Sequence, residues 1–520
     1  MEERKTLAVV GCGASAVVFL RSFIQECKIK QINNINLTIF EPASILGTGL
    51  AYQMDLHNLI LNRPANTMSS NIYKIDEYYQ WMKKKLNHAK QENLIFPSDN
   101  YFYTSRSFFG GYLAEMLKKA LNKAAKLGIQ IKIVKKNVLH IYKNKSFQLI
   151  TDACSYYADY VVLCTGNNSP CDVYNLGKTP AYIHSPYPLH KHVQSVPAEE
   201  SIGILGNSLT AIDIALALNK LNHSGKIYLL SRSNVFPRVR GKVTPYHLKF
   251  LTKKNLKTIS ENKKNLTLRD VLRLLRKELK IQNLNWKFLF LENGQGKKPI
   301  DVLKKEIFLA KKQSKWQSIL CATNEIVEYA WRKLDAGSKE IFLSKYHRIW
   351  INNRTPIPLP NAQVLAELIE KKQLELHPHV QQVKYDWASK KYIAIVSNKI
   401  LCVDRIINAT GPARYVQQAD SLMHNLIAQG LAKPNLYGGV EVDFDSAAVI
   451  DKQNKINYRI RLLGHNTSGV YYYTSSLEMI AKRAHLIAVH LTHFIKENHE
   501  ENRLVDAAAD WIGGSATPVN

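Results

Sequence analysis

Leu7-Ala8-Val9-Val10-Gly11-Cys12-Gly13-Ala14-Ser15-Ala16 is the stretch on which the reading of this chain turns. Four apolar residues make a short buried strand, and Gly11 to Ala16 form a tight turn. A helix then runs to about Glu26, and a second strand, Ile35–Phe40, ends at Glu41. Glycines at 11 and 13 permit the turn and let backbone amides approach a pyrophosphate, which rests on the positive end of the helix dipole. Glu41 stands where a carboxylate accepts from a ribose hydroxyl. Gly-x-Gly-x-x-Ala alone is weak, but with strand before, helix after and acid at the correct distance it specifies a dinucleotide site. Gly11, Gly13, Ser15, Ala16 and Glu41 are its candidate residues.

The plan occurs twice. The first unit continues through a helix over Gly111–Leu127, strands at Gln130–Val134, Val138–Tyr142 and Phe147–Thr151, and a last strand, Tyr160–Leu163, entering Cys164-Thr165-Gly166. In the second, Ile202–Leu205 enters Gly206-Asn207-Ser208-Leu209-Thr210-Ala211. A helix follows to Leu221, then a strand, Lys226–Leu230, ending in Ser231-Arg232-Ser233. Val380–Tyr385 and Tyr392–Val396 form a second meander, and Arg405–Asn408 leads into Ala409-Thr410-Gly411. The expectation is an α/β fold with two Rossmann-like dinucleotide-binding domains, each with a β-meander, glutathione-reductase-like, plus a helical insertion. FAD is expected in the first unit and NAD(P)H in the second. The expected division is 1–175 and 401–495 for the FAD domain, 176–400 for the NAD(P)H domain with an insertion at about 241–345, and a tail at 496–520.

The 520 residues carry 71 Lys and Arg against 42 Asp and Glu, a formal charge of +29. With 46 % hydrophobic and 22 % charged residues, wholesale disorder, collagen and coiled coil are excluded. No apolar run approaches the ~18 residues of a membrane span, and the flank MEERKT before Leu7–Leu20 is unlike a signal peptide. The seven cysteines are widely spaced and include no CxxC, so neither a disulfide framework nor a zinc site is expected, and the location expected is cytoplasmic. Between Gly241 and Lys315 lie 20 Lys and Arg against 6 Asp and Glu, an excess of +14. This basic segment reads as a solvated helical insertion. An anionic substrate, RNA or a membrane surface are the alternatives. Leu268, Val271, Leu272, Leu275 and Leu279 share one helical face, which must dock on something, so the insertion is expected near the domain interface with its lysines in solvent.

From Lys5 to Leu491 the chain resembles the bacterial FAD/NAD(P)-binding proteins, distant relatives of class B and N-hydroxylating flavin monooxygenases. Beyond the first glycine turn, the resemblance rests on Gly47-Thr48-Gly49-Leu50-Ala51-Tyr52 and on Asn58-Leu59-Ile60-Leu61-Asn62-Arg63-Pro64-Ala65. Arg106 in SRSFFGGYL, the tract Trp331–Pro356, Gln429-Gly430-Leu431-Ala432-Lys433-Pro434 and Leu463-Gly464-His465 follow in order. The resemblance implies an interleaved FAD domain, built from the N-terminal part and the segment after Thr410-Gly411. It brings Gly464 and a helix starting near Thr474 towards the flavin ring, where the helix N-terminus suits the electron-rich edge. Asn62, Arg106, Val138, Thr165, Gly166, Gly206, Asn207, Ser208, Arg232, Thr410, Gly411, Gly464 and Thr474 complete the candidate cofactor-binding set. One departure is Ser208, where a glycine is usual. Another is Tyr182–Tyr187, which does not satisfy the Baeyer–Villiger fingerprint, so that chemistry is not assigned.

Arg232 stands where an acid would select NAD, and a guanidinium there can bind a 2′-phosphate, so NADPH is expected over NADH. Arg238 and Arg240 are expected within reach. Disulfide reduction is excluded by the lack of a CxxC or CxxxxC pair, and hydrolysis by the lack of a GxSxG elbow. No metal spacing occurs among the 17 histidines, and His184, His190 and His192 read as a polar loop. His465 is the candidate catalytic residue, with a structural role as its alternative, and Tyr471-Tyr472-Tyr473 either line a substrate pocket or form a buried turn. The expected activity is that of an FAD-dependent, NADPH-consuming monooxygenase acting with molecular oxygen on a small amine or amino-acid metabolite. The alternatives are a reductase on the same scaffold, an RNA-directed flavoprotein, against which the missing interleaved aromatics count, and a flavin-binding protein without turnover.

Overall fold

The computed structural model describes residues 4–98, 101–233, 236–289, 298–397, 399–417 and 420–513. Two sheets carry the molecule, parallel throughout except for the antiparallel edge strand Ala448–Ile450 of the first. The first has six strands in the order Ala448–Ile450, Ile456–Leu462, Tyr160–Leu163, Lys5–Val10, Ile35–Phe40, Gln130–Val134. Val9 pairs with Ile39 on one side and Val162 on the other, so the strand that feeds the first glycine turn is central and fully buried. Ile460 pairs in parallel with Val161, which builds the C-terminal segment into the N-terminal sheet, the interleaving that the resemblance implied. The second sheet has five strands, Tyr182–Ile183, Arg405–Asn408, Ile202–Leu205, Ile227–Ser231 and Leu374–Pro378.

Each of the two sheets carries one glycine turn, and each is accompanied by a separate antiparallel meander. The meanders have three strands each: His140–Lys143, Phe147–Ile150, Ser155–Ala158, and Val380–Asp386, Lys391–Val396, Lys399–Val403. The third strand of each is an addition to the sequence reading. Ser155–Ala158 buries only Ala158, so its residues carry little apolar alternation. Leu374–Pro378 is a further addition, its Leu376 paired with Leu229.

The helix expected from Gly111 begins at Arg106 and runs to Lys126. Ser105 caps it by accepting from the Phe108 N–H at 3.2 Å. Gly110 and Gly111 lie inside this helix, not before it. A Cβ on Gly110 would come within 2.0 Å of the Tyr52 carbonyl oxygen, so the glycine serves close packing and does not break the helix. The last helix spans Leu477–Gly513, so the expected tail begins as its continuation, and 514–520 lie outside the described residues. Among the described residues no helix is long and apolar enough to cross a membrane.

The basic segment is helical, as expected. Its amphipathic helix is Leu268–Ile281, opened by a Thr267–Asp270 capping box, with Leu268, Leu274, Leu275 and Leu279 buried. Glu278, on the same helix, is fully buried. It accepts from the amides of Lys249, Phe250 and Leu251 (2.7, 2.5 and 2.9 Å) and from the Tyr246 hydroxyl (2.8 Å), which fastens the loop 246–251 to the helix. This small core continues into Trp331, Tyr472, Tyr473 and Met479, so the insertion docks on the segment that follows Gly464.

Candidate functional site

The two glycine turns have the same backbone. Gly11 and Gly206 both hold positive φ, at +85° and +127°, where a Cβ would lie 2.3 Å from the Cys164 carbonyl oxygen and 2.7 Å from that of Ala409. Gly13 and Ser208 both precede their helices in extended conformation, at φ −88°, ψ −163° and φ −96°, ψ −167°. The strands ending in Thr-Gly match as well, with Gly166 and Gly411 at φ +79° and +80°, and a Cβ on either would meet open space. Ser208 therefore occupies a conformation that any residue adopts, and nothing in its backbone calls for glycine.

The turns differ in what covers them. Gly49 lies over Gly13, its Cα 3.3 Å from where a Gly13 Cβ would sit, and the Gly47 amide donates to the Cys12 carbonyl at 2.8 Å. Ser208 is exposed. Glu41 is buried; its Oε2 accepts from the Cys12 N–H at 2.7 Å and its Oε1 from the Ala43 N–H at 3.0 Å, so the carboxylate already ties the second strand to the first turn. Around this turn Ser15 lies 3.5 Å from the Cβ position of Gly464, and the Asn466 side-chain amide reaches the Thr165 hydroxyl at 3.5 Å. The Asn466 Oδ1 and the Ser468 Oγ are buried and have no hydrogen-bond partner among the described residues. A cradle without Cβ atoms, amides at a helix start and orphaned polar atoms beside Gly464 suit a dinucleotide bearing phosphates and a polar ring.

The other expected residues are placed as follows. Ala16 is buried at the start of the first helix, and Val138 is buried just before the first meander. Asn62 presents its carbonyl to the Arg240 Nε at 2.9 Å. The Thr410 hydroxyl folds back onto the Asn408 Oδ1 at 2.8 Å. Asn207 donates to the Ser233 carbonyl, and Arg232 beside it is exposed at the strand end. Arg238 and Arg240 do not join Arg232: Arg238 pairs with Glu306 at 2.6 Å and Arg240 points to Asn62. The helix expected near Thr474 starts at Leu477, so Thr474 lies in the preceding turn. His465 bonds through its Nε2 to the Ala413 carbonyl oxygen at 2.8 Å, and burial pushes its pKa down. A neutral ring donating to a backbone carbonyl splices two loops, which is the structural alternative for this residue.

Tyr471, Tyr472 and Tyr473 are buried: Tyr471 packs in the first core against Phe444, and Tyr472 and Tyr473 face the insertion. Tyr472 packs on Trp331 (centroids 4.9 Å apart), and its hydroxyl is 3.0 Å from the His347 Nδ1. The Arg354 guanidinium lies 5.0 Å over the Tyr473 ring. Arg106 was expected at the cofactor. Its guanidinium instead pairs with Asp213 at 2.6 Å and donates to the Ile60 carbonyl, bridging the two nucleotide-binding halves. The sequence held a signal for this partner, since Asp213 is the one acid in the apolar helix LTAIDIALALNK. Gly49, Tyr187 and Asn466 have roles that depend on contacts across 26 residues or more of chain, beyond the reach of a local motif. Among the described residues no group of His, Cys, Asp and Glu could hold a metal.

Residues 8–168 match the model of a family described as FAD-NAD(P)-binding. No curated protein matches the sequence. Among solved structures, the fold is similar to that of the reduced form of ornithine hydroxylase from Pseudomonas aeruginosa. Identity is 12 %, the match covers 95 % of this chain and 100 % of that one, and the TM-score is 0.57. It is similar to ornithine N-hydroxylase of Kutzneria sp. 744 with reduced FAD, NADP+ and L-ornithine (12 %, 95 % and 99 %, TM-score 0.54). A third is the FAD-bound cadaverine monooxygenase of Erwinia amylovora (14 %, 95 % and 95 %, TM-score 0.56). At such identities the likeness is one of fold, and the first unit is an FAD-NAD(P)-binding domain.

Proposed function

We propose that the chain is an FAD- and NADPH-dependent monooxygenase acting on a small amine-bearing metabolite. The observation that carries this reading is the unequal covering of two matched turns. The first is closed by Gly49 and tied by Glu41, as suits a resident FAD; the second is exposed at Ser208, as suits a nicotinamide that comes and goes. FAD, when bound, supplies hydride acceptance and reaction with oxygen. The protein's part is to bind, orient and exclude water. Gly11, Gly13, Ser15 and the helix start would hold the FAD phosphates, and Asn466, Thr165 and Gly464 its ring end. Arg232 would take the 2′-phosphate of NADPH.

The cysteines argue for this class over disulfide reduction. Cys12 and Cys164 lie at the first turn, and both are buried. Burial pushes the Cys12 thiol up to about 12 and the Cys164 thiol up as well, so neither is a thiolate at neutral pH. The full-length likeness in fold to hydroxylases of ornithine and cadaverine supports an amine as substrate. The test is a product balance. Purified yellow protein is given NADPH, oxygen and a panel of amines and amino acids, and hydroxylated product is counted against NADPH oxidised. Product in step with NADPH supports the reading. Oxidation that yields hydrogen peroxide alone with every amine favours the reductase.

A further inference from the structure

We infer that Arg240 and Tyr103 form an oxyanion pocket that takes the carboxylate of a small-molecule ligand. Arg240 is 8 % exposed, and its one hydrogen bond goes from Nε to the Asn62 carbonyl oxygen at 2.9 Å. Among the described residues no carboxylate pairs with it, and the charged side chain it feels nearby is another arginine, Arg63. Arg483 is neutralised by Glu328 and the half-buried Arg106 by Asp213, whereas the buried Arg354 and Arg461, like Arg240, make no ion pair among the described residues. A buried charge without a counter-charge is costly, and an apolar side chain of the same size would serve folding better. Arg240 lines a cavity of about 20 Å³. That is room for one or two water-sized groups, hence for an end group and not for a nucleotide.

The walls of the cavity point to the same ligand. Tyr103 is 1 % exposed, and its hydroxyl has no hydrogen-bond partner among the described residues. Burial pushes this phenol up to about 12, so it remains a donor at neutral pH. Tyr101 is fixed against the backbone of Val243, its hydroxyl donating to that carbonyl at 3.0 Å. Lys242 and Lys311, both exposed and without an ion pair among the described residues, also line it, and no described lining residue is acidic. A planar guanidinium fork with a phenol donor beside it matches a carboxylate, held bidentately and by a third bond. Arg240 rests on Asn62 of the FAD half and follows the second nucleotide-binding strand, so the pocket lies where both halves and the insertion meet. The proposed function enters in one respect only, that the carboxylate is taken as the substrate's.

The test reads binding to the FAD-loaded protein without NADPH. The probes are acetate, 5-aminopentanoate and pentane-1,5-diamine, the last with the same chain but no carboxylate. The wild type should bind 5-aminopentanoate about tenfold or more tighter than the diamine, the range of one charge-assisted pair. Acetate should compete with it. Arg240→Gln should abolish the preference, and Tyr103→Phe should reduce it by about threefold to tenfold with the flavin spectrum unchanged. Equal binding of the two chains, no binding of any carboxylate, an unchanged preference in Arg240→Gln, or displacement by inorganic phosphate but not by acetate would each overturn the pocket. If Arg240→Gln fails to fold, the Tyr103→Phe comparison decides. Carboxylate preference without oxidation of any amine by NADPH and oxygen would keep the pocket and remove the monooxygenase reading.

Discussion

Arg106 and Asp213 meet across the boundary between the two nucleotide-binding halves, Nη2 to Oδ2 at 2.6 Å, with Asp213 almost wholly buried. Tyr187, from the connecting segment, donates its hydroxyl to the same Oδ2 at 2.5 Å. Asn58 donates to the Leu216 carbonyl at 3.0 Å, and Asp55 accepts from the amides of Leu189 and His190, both at 2.8 Å, so the same loop grips the second half three times. Removing Arg106 leaves the carboxylate buried with a phenol for company. Arg106→Ala should therefore cost about 3–5 kcal/mol in denaturant unfolding, whereas the paired change Arg106→Met with Asp213→Leu should recover most of it. A single variant as stable as the wild type would show that the pair does not hold the halves together.

The matched turns make a contrasting pair of variants. Gly13→Leu puts a side chain against Gly49 and into the cradle, and the purified protein should lose its FAD absorbance. Ser208→Gly changes an exposed residue in a conformation open to either, so the NADPH KM should stay within about threefold. Full FAD occupancy in Gly13→Leu would remove the first turn from the site.

Arg232 is exposed at the end of Ile227–Ser231, and Arg238 is occupied by Glu306, which leaves Arg232 as the cation of this trio free to select NADPH. Arg232→Ala should raise the NADPH KM by about 10- to 150-fold, the equivalent of 1.5–3 kcal/mol, and leave NADH almost unaffected. The steady-state KM for both cofactors checks this, and an equal change in each would assign Arg232 to solvent.

The two strand–turn–helix units were legible because each is local: the glycines, the strand before and the helix after lie within a few dozen residues. Even the amphipathic helix Leu268–Ile281 could be read from its spacing. The site between the units was less legible, since its contacts join distant segments. His465 reads as an active-site candidate from its place after Gly464, yet its ring is spent on Ala413. Arg106 stands in a motif that suggests a cofactor contact, and its partner lies 107 positions away on the other half. Arg240 looks like one more phosphate arginine, until its burial without a counter-charge is seen. Burial and pairing, not residue type, separate these roles, and neither is written in a local pattern.

Glu278 makes the docking of the basic insertion testable. Four donors converge on one buried carboxylate. Glu278→Ala strands three backbone amides and should cost about 3–5 kcal/mol, with protease cleavage appearing first in 246–251. Changing four exposed lysines of the same insertion to glutamate should leave NADPH turnover within about threefold. Any RNA binding should be weak and gone by about 200 mM salt. Tight, salt-resistant RNA binding would instead favour the RNA-directed alternative.

The last expectation concerns pH. His347 sits between the insertion and the Tyr472 hydroxyl, and burial, helped by the nearby Arg414 charge, lowers its pKa from 6.5 to about 4. His465 is shifted in the same direction, again chiefly by burial. In the unfolded chain the His347 ring returns to its ordinary value, so between pH 6.5 and about 4 the unfolded state binds more protons there than the folded one. Stability then rises with pH across this window. For His347 it is complete above pH 6.5 and is lost as the pH falls towards 4, at up to about 1.4 kcal/mol per pH unit, and His465 adds in the same direction. His347→Gln keeps an amide near Tyr472 and cannot titrate. It should lower stability at pH 7.5 and flatten the fall between pH 6.5 and 4.5, as read by denaturant unfolding at a series of pH values. A parallel profile in the variant would show that His347 does not carry this dependence.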